Sequence, residues 1–153
     1  PKAITRALEH NLFMSSNTDI HGASERVDGQ PLCNITFIFA KDKSLASIRE
    51  AIEAHRTIAY SYGTIAGEES LLRKFVEAAL EIRTAGVDKK GKAQYVIKNN
   101  SSVEFMIRFE GGNPVVLKGL SSTFIKEQKA GQSDIIVDSA WCGEDKRLTI
   151  KIK

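Results

Sequence analysis

After Gly86 the chain loses every helical repeat of apolar residues, and this change of period constrains its fold more than any other feature. The remainder is a series of short runs: Ala93 to Lys98, Val103 to Phe109, Val115 to Lys118, Thr123 to Lys126, Ile135 to Val137 and Leu148 to Ile152. Asn99-Asn100, Gly111-Gly112-Asn113-Pro114 and Gly143 separate them with residues that favour turns. Phe105, Ile107 and Phe109 alternate with Glu104, Met106 and Arg108, the period of a strand with one buried face. Residues 87–153 are therefore expected to form a small antiparallel β-sandwich of immunoglobulin-like outline. Asp88-Lys89-Lys90-Gly91-Lys92 reads as a charged link or hairpin turn at its start.

The first half has a different rhythm. Ala3, Ile4, Ala7 and Leu8 lie on one helical face, with Asn11 as a stop. Leu12-Phe13-Met14 reads as a short strand, and Gly22, Gly29 and Pro31 mark residues 22–33 as a loop. Ile35 to Ala40 is a continuous apolar run suited to a strand buried on both faces. Ser44 is placed to cap a helix with the stripe Leu45, Ile48, Ala51 and Ile52. Thr57 to Tyr60 follows as a strand, and Leu71, Leu72, Phe75, Val76, Ala79 and Leu80 as a further helical stripe. Strand and helix in alternation predict an α/β unit with parallel strands over residues 1–86.

Composition removes several classes of function. Lys and Arg number 22 against 19 Asp and Glu, too small a surplus to imply a nucleic-acid partner, and the basic residues form no run. Cys33 and Cys142 are far apart and outside any C-x-x-C spacing, so zinc knuckles and redox pairs are not indicated. No stretch approaches the roughly 20 apolar residues of a membrane span. The chain opens at Pro1 without an initiator Met, so its compartment is not legible and an upstream portion is expected.

The residues with the most chemical promise are Asp19 and His21, just beyond the Leu12 to Met14 run. Chemistry in α/β folds gathers at strand ends. In extended backbone, positions i and i+2 share a side, so a carboxylate and an imidazole are presented together. That mixed oxygen and nitrogen pair suits Zn, Mn or Fe. The plain alternative is an Asp that caps a turn beside a surface His.

The segment Ser16-Asn17-Thr18-Asp19-Ile20-His21-Gly22, with the helix and apolar run before it, resembles the last metal-binding motif of the PHP (polymerase and histidinol phosphatase) phosphoesterases. The resemblance continues through Thr36 to Leu45, Ile48 to Ile52, Arg56 to Tyr60, Gly67-Glu68-Glu69 and Leu72, covering roughly residues 1–84. In spacing it is similar to a subgroup common among exported bacterial members, whose catalytic barrel is followed by a β domain. It implies that residues 1–86 are the terminal β/α units of a distorted TIM-type barrel. It implies also a cluster of two or three divalent metal ions that activates water for hydrolysis of a phosphorylated small molecule or a phosphodiester. Asp19 and His21 match family ligands; the family's early H-x-H motif and intervening ligands have no counterpart among His10, His21 and His55. The expectation is thus the C-terminal fragment of a metal-dependent phosphoesterase, inactive by itself, whose ligand set is completed by a missing N-terminal portion. Exposed strand edges would favour a homodimer. The competing reading is a non-catalytic binding or structural module in which the β half docks on a partner.

Other residues carry weaker signals. His10 and His55 sit near helix ends, where structural roles are the norm. Gly63 to Gly67 joins a strand to a helix as phosphate loops do, but Glu68-Glu69 would repel an anion there. Tyr60, Ser61, Tyr62 and Arg56 could face a substrate, though packing and helix-end roles are simpler. Trp141 reads as an aromatic of the β half, and the sequons at Asn34 and Asn100 match a pattern frequent by chance.

Overall fold

The computed structural model describes residues 2–18 and 34–152. The described elements begin with helix α1 (Lys2–Glu9), then β1 (Asn34–Ile38), α2 (Leu45–Glu53), β2 (Thr57–Ser61), β3 (Thr64–Ala66) and α3 (Glu69–Ala79). Seven further strands complete the chain: β4 (Leu80–Val87), β5 (Ala93–Asn99), β6 (Phe105–Phe109), β7 (Val115–Leu117), β8 (Ser121–Lys126), β9 (Asp134–Trp141) and β10 (Arg147–Lys151).

The helices end and begin where local chemistry dictates. Ser44 accepts the Ser47 N–H at 3.2 Å and starts α2. Both α1 and α2 close with paired bonds around a left-handed residue. Leu12 N donates to Ala7 O and Asn11 N to Leu8 O around Asn11, at φ 50°. Arg56 N donates to Ala51 O and His55 N to Ile52 O around His55, at φ 55°. Glu68 caps α3 by accepting the Leu71 N–H at 3.1 Å, so the two acids there serve the helix terminus.

The strands form two sheets. The larger has seven strands in the order β1-β2-β3-β9-β6-β7, with β10 also on β9; the smaller is β4-β5-β8. Strands β1 and β2 are antiparallel, in register from Asn34↔Ser61 to Ile38↔Thr57. Tyr62 and Gly63, with φ of 44° and 80°, then turn the chain directly into β3, the pattern of a tight hairpin with both central residues left-handed. Strand β3 joins β9 in parallel at Ile65↔Ala140 and Ala66↔Trp141.

This arrangement overturns the expected fold class. The first half is not the terminal β/α part of a TIM-type barrel, and the second is not a free-standing antiparallel immunoglobulin-like sandwich. The described chain is mostly strand, with three helices, and a single mixed sheet takes β1 to β3 from the first half and β6, β7, β9 and β10 from the second. The physical reason lies in α2. A crossover between parallel strands needs a helix that covers the sheet face, whereas α2 buries only Ala51 and returns the chain antiparallel. Strand β4 was also not expected. Leu80 ends the apolar stripe of α3 and starts the strand with no linker, at φ −106° and ψ 121°.

One core unites the sheets and α3. Ile58 and Ile65 from the first half pack in the same cluster as Leu72 and Val76 of α3, Ile97 of β5, Phe105 and Ile107 of β6, and Ile135 and Leu148. The alternation expected for β6 is observed, with Phe105, Ile107 and Phe109 buried and Met106 exposed. Phe75 of α3 bridges the halves, its ring centroid 5.5 Å from Phe37, 5.9 Å from Phe39 and 6.2 Å from Phe105.

A polar knot closes the end of this core. Asn99, with no solvent exposure, donates through Nδ2 to the carbonyls of Val103 at 2.7 Å and of Leu117 and Lys118 at 3.2 Å. Its Oδ1 accepts from Ser101 N at 3.0 Å and Oγ at 2.8 Å. Gly119 lies so close that a Cβ there would stand 2.7 Å from Ser102 O. Asn99→Ala strands several buried polar groups at once and should cost about 2–4 kcal/mol. Urea unfolding should show a lower midpoint with an unchanged slope.

The hairpin between β4 and β5 carries a second testable device. Asp88 Oδ1 accepts from Lys90 N at 2.8 Å and Lys92 N at 2.9 Å, and its other oxygen pairs with Lys126. The Lys126 hydrogen bond, followed by the backbone donor of Lys92, lowers its carboxyl from 3.8 to about 2. A depressed native pKa stabilises above the unfolded pKa and loses that contribution as pH falls. Asp88→Asn should therefore flatten thermal stability against pH between about 4 and 2 without altering its slope above pH 5.

Candidate functional site

The segment leading to the sequence motif is pinned to one face of the β1–β2 pair. The register places Asn34, Thr36 and Ile38 of β1 on the same side as Thr57, Ala59 and Ser61 of β2. The opposite side, with Phe37, Ile58 and Tyr60, faces the core, and Tyr60 packs edge-on to Phe37 at 6.3 Å. Thr36 Oγ1 accepts from Ser16 N at 2.9 Å and donates to Ser16 O at 3.0 Å. Thr57 Oγ1, on a residue that is buried, donates to Met14 O at 2.9 Å. Two threonine hydroxyls thus do what a backbone ladder would do for a paired strand. Leu12 to Met14, expected as a strand, is not one: Leu12 N closes α1 on Ala7 O, and Met14 O is held by the Thr57 hydroxyl.

The polar face continues to the point where the described chain stops and resumes. Asn34 Oδ1 accepts from Ser61 Oγ at 2.5 Å and Ser16 Oγ at 3.4 Å. Residues 16 and 34 are thereby brought together, although 18 positions separate them in sequence. Asp19 and His21, the predicted ligands, and Cys33 lie outside the described residues.

This hydroxyl face was not expected from the sequence. Its signal was Thr36 inside the Ile35 to Ala40 run read as continuously apolar, with Asn34 at strand spacing just before that run and Thr57 and Ser61 at matching positions on β2. β1 is therefore two-sided, with Ile35 and Phe37 alternating against polar residues, and is not buried on both faces.

The remaining candidates resolve into local roles. His55 occupies the left-handed position after α2, and its Nδ1 lies 3.1 Å from Asn11 Oδ1, which ties the ends of α1 and α2 together. His10 is exposed. Arg56 spends its guanidinium on Glu50 Oε1 at 2.9 Å, on Glu50 Oε2 and on Phe39 O at 3.1 Å, which ties the chain after α2 back to that helix and to the end of β1. That pairing raises the Arg56 pKa and lowers that of Glu50. Gly63 to Gly67 forms a turn and strand, not a phosphate-binding loop. Tyr62 is exposed in that turn. Trp141 carries the Arg147 guanidinium 2.9 Å from its ring centroid, a stacked cation at the head of β10. Cys142 is buried, and burial first, then the Glu69 charge, raises its thiol pKa.

Among the described residues no group of three or more His, Cys, Asp and Glu side chains could hold a metal ion. None of the described helices is long and apolar enough to cross a membrane.

Thr36→Val keeps the side-chain shape and deletes both bonds to Ser16. Loss of such a bond, worth about 1 kcal/mol, should speed amide hydrogen exchange at Ser16 roughly fivefold. Thr36→Ser should restore the slower exchange.

No protein-family model matches the chain, and no curated protein sequence matches it. Among solved structures, it is similar to a two-domain protein from Bacteroides vulgatus containing a predicted PHP-like metal-dependent phosphoesterase. The two share 25% sequence identity and superpose with a TM-score of 0.82. The likeness covers 98% of this chain and 48% of the Bacteroides chain, so the present chain spans about half the length of that neighbour. A relation to PHP-like proteins, expected from the residues around Asp19 and His21, is thus supported by structure at the level of this one neighbour.

Proposed function

We propose that this chain is one half of a PHP-type metal-dependent phosphoesterase and that Asp19 and His21 supply two ligands to its metal cluster. The observation that carries the reading is the likeness over almost the whole chain to a two-domain protein containing a predicted enzyme of this kind. The polar face adds to it: Ser16 and Asn34, on either side of residues 17–33, meet on β1, and the clamp on Met14 and Ser16 gives the approach to Asp19 a fixed origin.

The chemistry of the donor set fits such a centre. A carboxylate oxygen and an imidazole nitrogen suit Zn, Mn or Fe, and a bound divalent ion would lower the pKa of its water into the neutral range. Asp19 and His21 would hold the ion and fix its position; further ligands come from polypeptide outside this sequence. The substrate class is a phosphomonoester or phosphodiester. Hydrolysis is a property of the assembled protein, and the 153-residue chain alone is inactive in this reading.

The test uses the complete gene product. Asp19→Asn and His21→Asn should each lower bound metal, measured by elemental analysis, and reduce hydrolysis of p-nitrophenyl phosphate or its bis ester by roughly 100-fold or more, exceeding the effect usual for outer-shell partners. Full metal content and full activity in both variants would assign the chain to a binding or structural role instead.

A further inference from the structure

At the end of the larger sheet opposite β1, a cavity opens between the two sheets. Strands β7 and β8 are joined by only three residues, Lys118 to Leu120, yet β7 belongs to the larger sheet and β8 to the smaller. Among the described residues each is the outer strand of its sheet. At the turn they are fastened together: Asn99 of β5 donates to Leu117 O and Lys118 O, and Leu120 N donates to Ser101 O at 2.8 Å. A second fastening lies beyond the other end of β8. Gln132 Oε1 accepts from Gln128 N at 2.9 Å, and Gln132 Nε2 donates to Glu110 O at 2.9 Å. Gln128 also packs on Gly112, where an added Cβ would stand 2.5 Å from Gln128 Cγ. Beside this second fastening, where the strands part into different sheets, lies an opening of about 240 Å³.

Its lining divides by chemistry. Phe109 and Ile125, both buried, and Val115 supply apolar surface, while Phe124, 57% exposed, stands at the mouth. The charged members are Arg108 and Lys126, and no acidic residue lines the opening. Each base is anchored from outside it. Arg108 Nε donates to both oxygens of Asp138, at 3.0 and 2.9 Å, and Lys126 pairs with Asp88. Both Arg108 bonds run from Nε, which leaves its two Nη groups as donors. Cations held in place beside an apolar surface suit an anion that carries an apolar body. Size narrows the class. An apolar cavity of roughly 150 Å³ takes benzene, so 240 Å³ holds one ring with a carboxylate. Drug-sized ligands need roughly 300 Å³ or more. We propose that this opening binds a small monocarboxylic acid with a single ring or a short branched chain. The carboxylate meets Arg108 in the field of Lys126, and the apolar body rests on Phe109, Val115 and Ile125. This site owes nothing to the phosphoesterase reading, which rests on other residues.

The experiment is calorimetric titration of the complete gene product with benzoate, with benzamide and acetate as controls. Benzoate should bind saturably with a Kd of about 1 mM or tighter, the range open to so few atoms. Benzamide, which keeps the ring and lacks the charge, should bind roughly tenfold more weakly, as should acetate, which lacks the ring. Arg108→Gln should cost roughly tenfold in affinity for benzoate. Phe124→Ala, at an exposed position, should weaken binding about threefold and leave the melting curve unchanged. Methyl resonances of Val115 and Ile125 should shift during the titration. That readout separates this site from a carboxylate taken up by a metal centre, and it survives any loss of stability that Arg108→Gln causes through Asp138. Four results would each overturn the proposal: no saturable heat with benzoate, equal binding of benzamide, an affinity unchanged in both variants, or methyl shifts confined to other residues.

Discussion

The structure depends on a parallel contact only a few residues long. Strand β3 lies beside the end of β9 at Ile65↔Ala140 and Ala66↔Trp141, and Gly67 N donates to Trp141 O at 3.3 Å. Through this contact the β1–β2–β3 unit becomes part of the sheet formed by β6, β7, β9 and β10. Without it Ile58 and Ile65 would have no core to enter. Helix α3 reinforces the joint from above. Arg73 donates to Thr149 O at 2.6 Å, and Glu69 pairs with both Arg73 at 2.9 Å and Lys146 at 2.6 Å. These ion pairs are partly solvated and contribute little energy individually. Their use is geometric, since they fix where α3 lies against β10.

Polar groups inside the molecule are used in two distinct ways. Asn99 and Glu127 close the ends of the sandwich. Glu127, buried, accepts from Ala93 N at 2.8 Å, Gly131 N at 3.2 Å and the Tyr95 hydroxyl at 3.2 Å. Desolvation, then the Glu127 charge, raises the Tyr95 pKa, so the phenol stays a donor at physiological pH. Every bond of these two residues is internal to the fold, and each holds a turn against a strand. The hydroxyls of Thr36 and Thr57 act differently. They attach a segment that has no ladder of its own, leaving the chain before Asp19 docked without making it a permanent strand of the sheet.

The candidate site was legible in part, and the division follows from what local sequence encodes. Asp19 and His21 stood out because ligand chemistry is a property of residue type and spacing. The polar face of β1 and β2 did not, because Asn34, Thr36, Thr57 and Ser61 share a face only once the two strands are paired in their actual register. A Thr in an apolar run reads as ordinary strand content; its role as a clamp needs Met14 and Ser16 brought to it from more than 19 positions away. The histidines show the converse. His55 was expected to be structural from its place at a helix end, and it occupies the left-handed position that closes α2.

By itself the sequence determined the elements whose signals are local. The caps of α2, the apolar stripe of α3, the alternation of β6 and the turn at Asp88 to Lys92 all follow from the period of apolar residues and from the few residues that tolerate tight turns. Tertiary structure alone decided strand direction and partnership. A run such as Thr57 to Tyr60 is equally compatible with parallel or antiparallel neighbours, and a three-residue strand such as β3 has too little period to be recognised. Leu80 could end a helix or begin a strand, and did both, because the backbone changes conformation where the core of α3 gives way to the edge of the smaller sheet. Pairing of this kind is settled by which faces find an apolar surface to cover, and that surface is assembled from residues far apart in the chain.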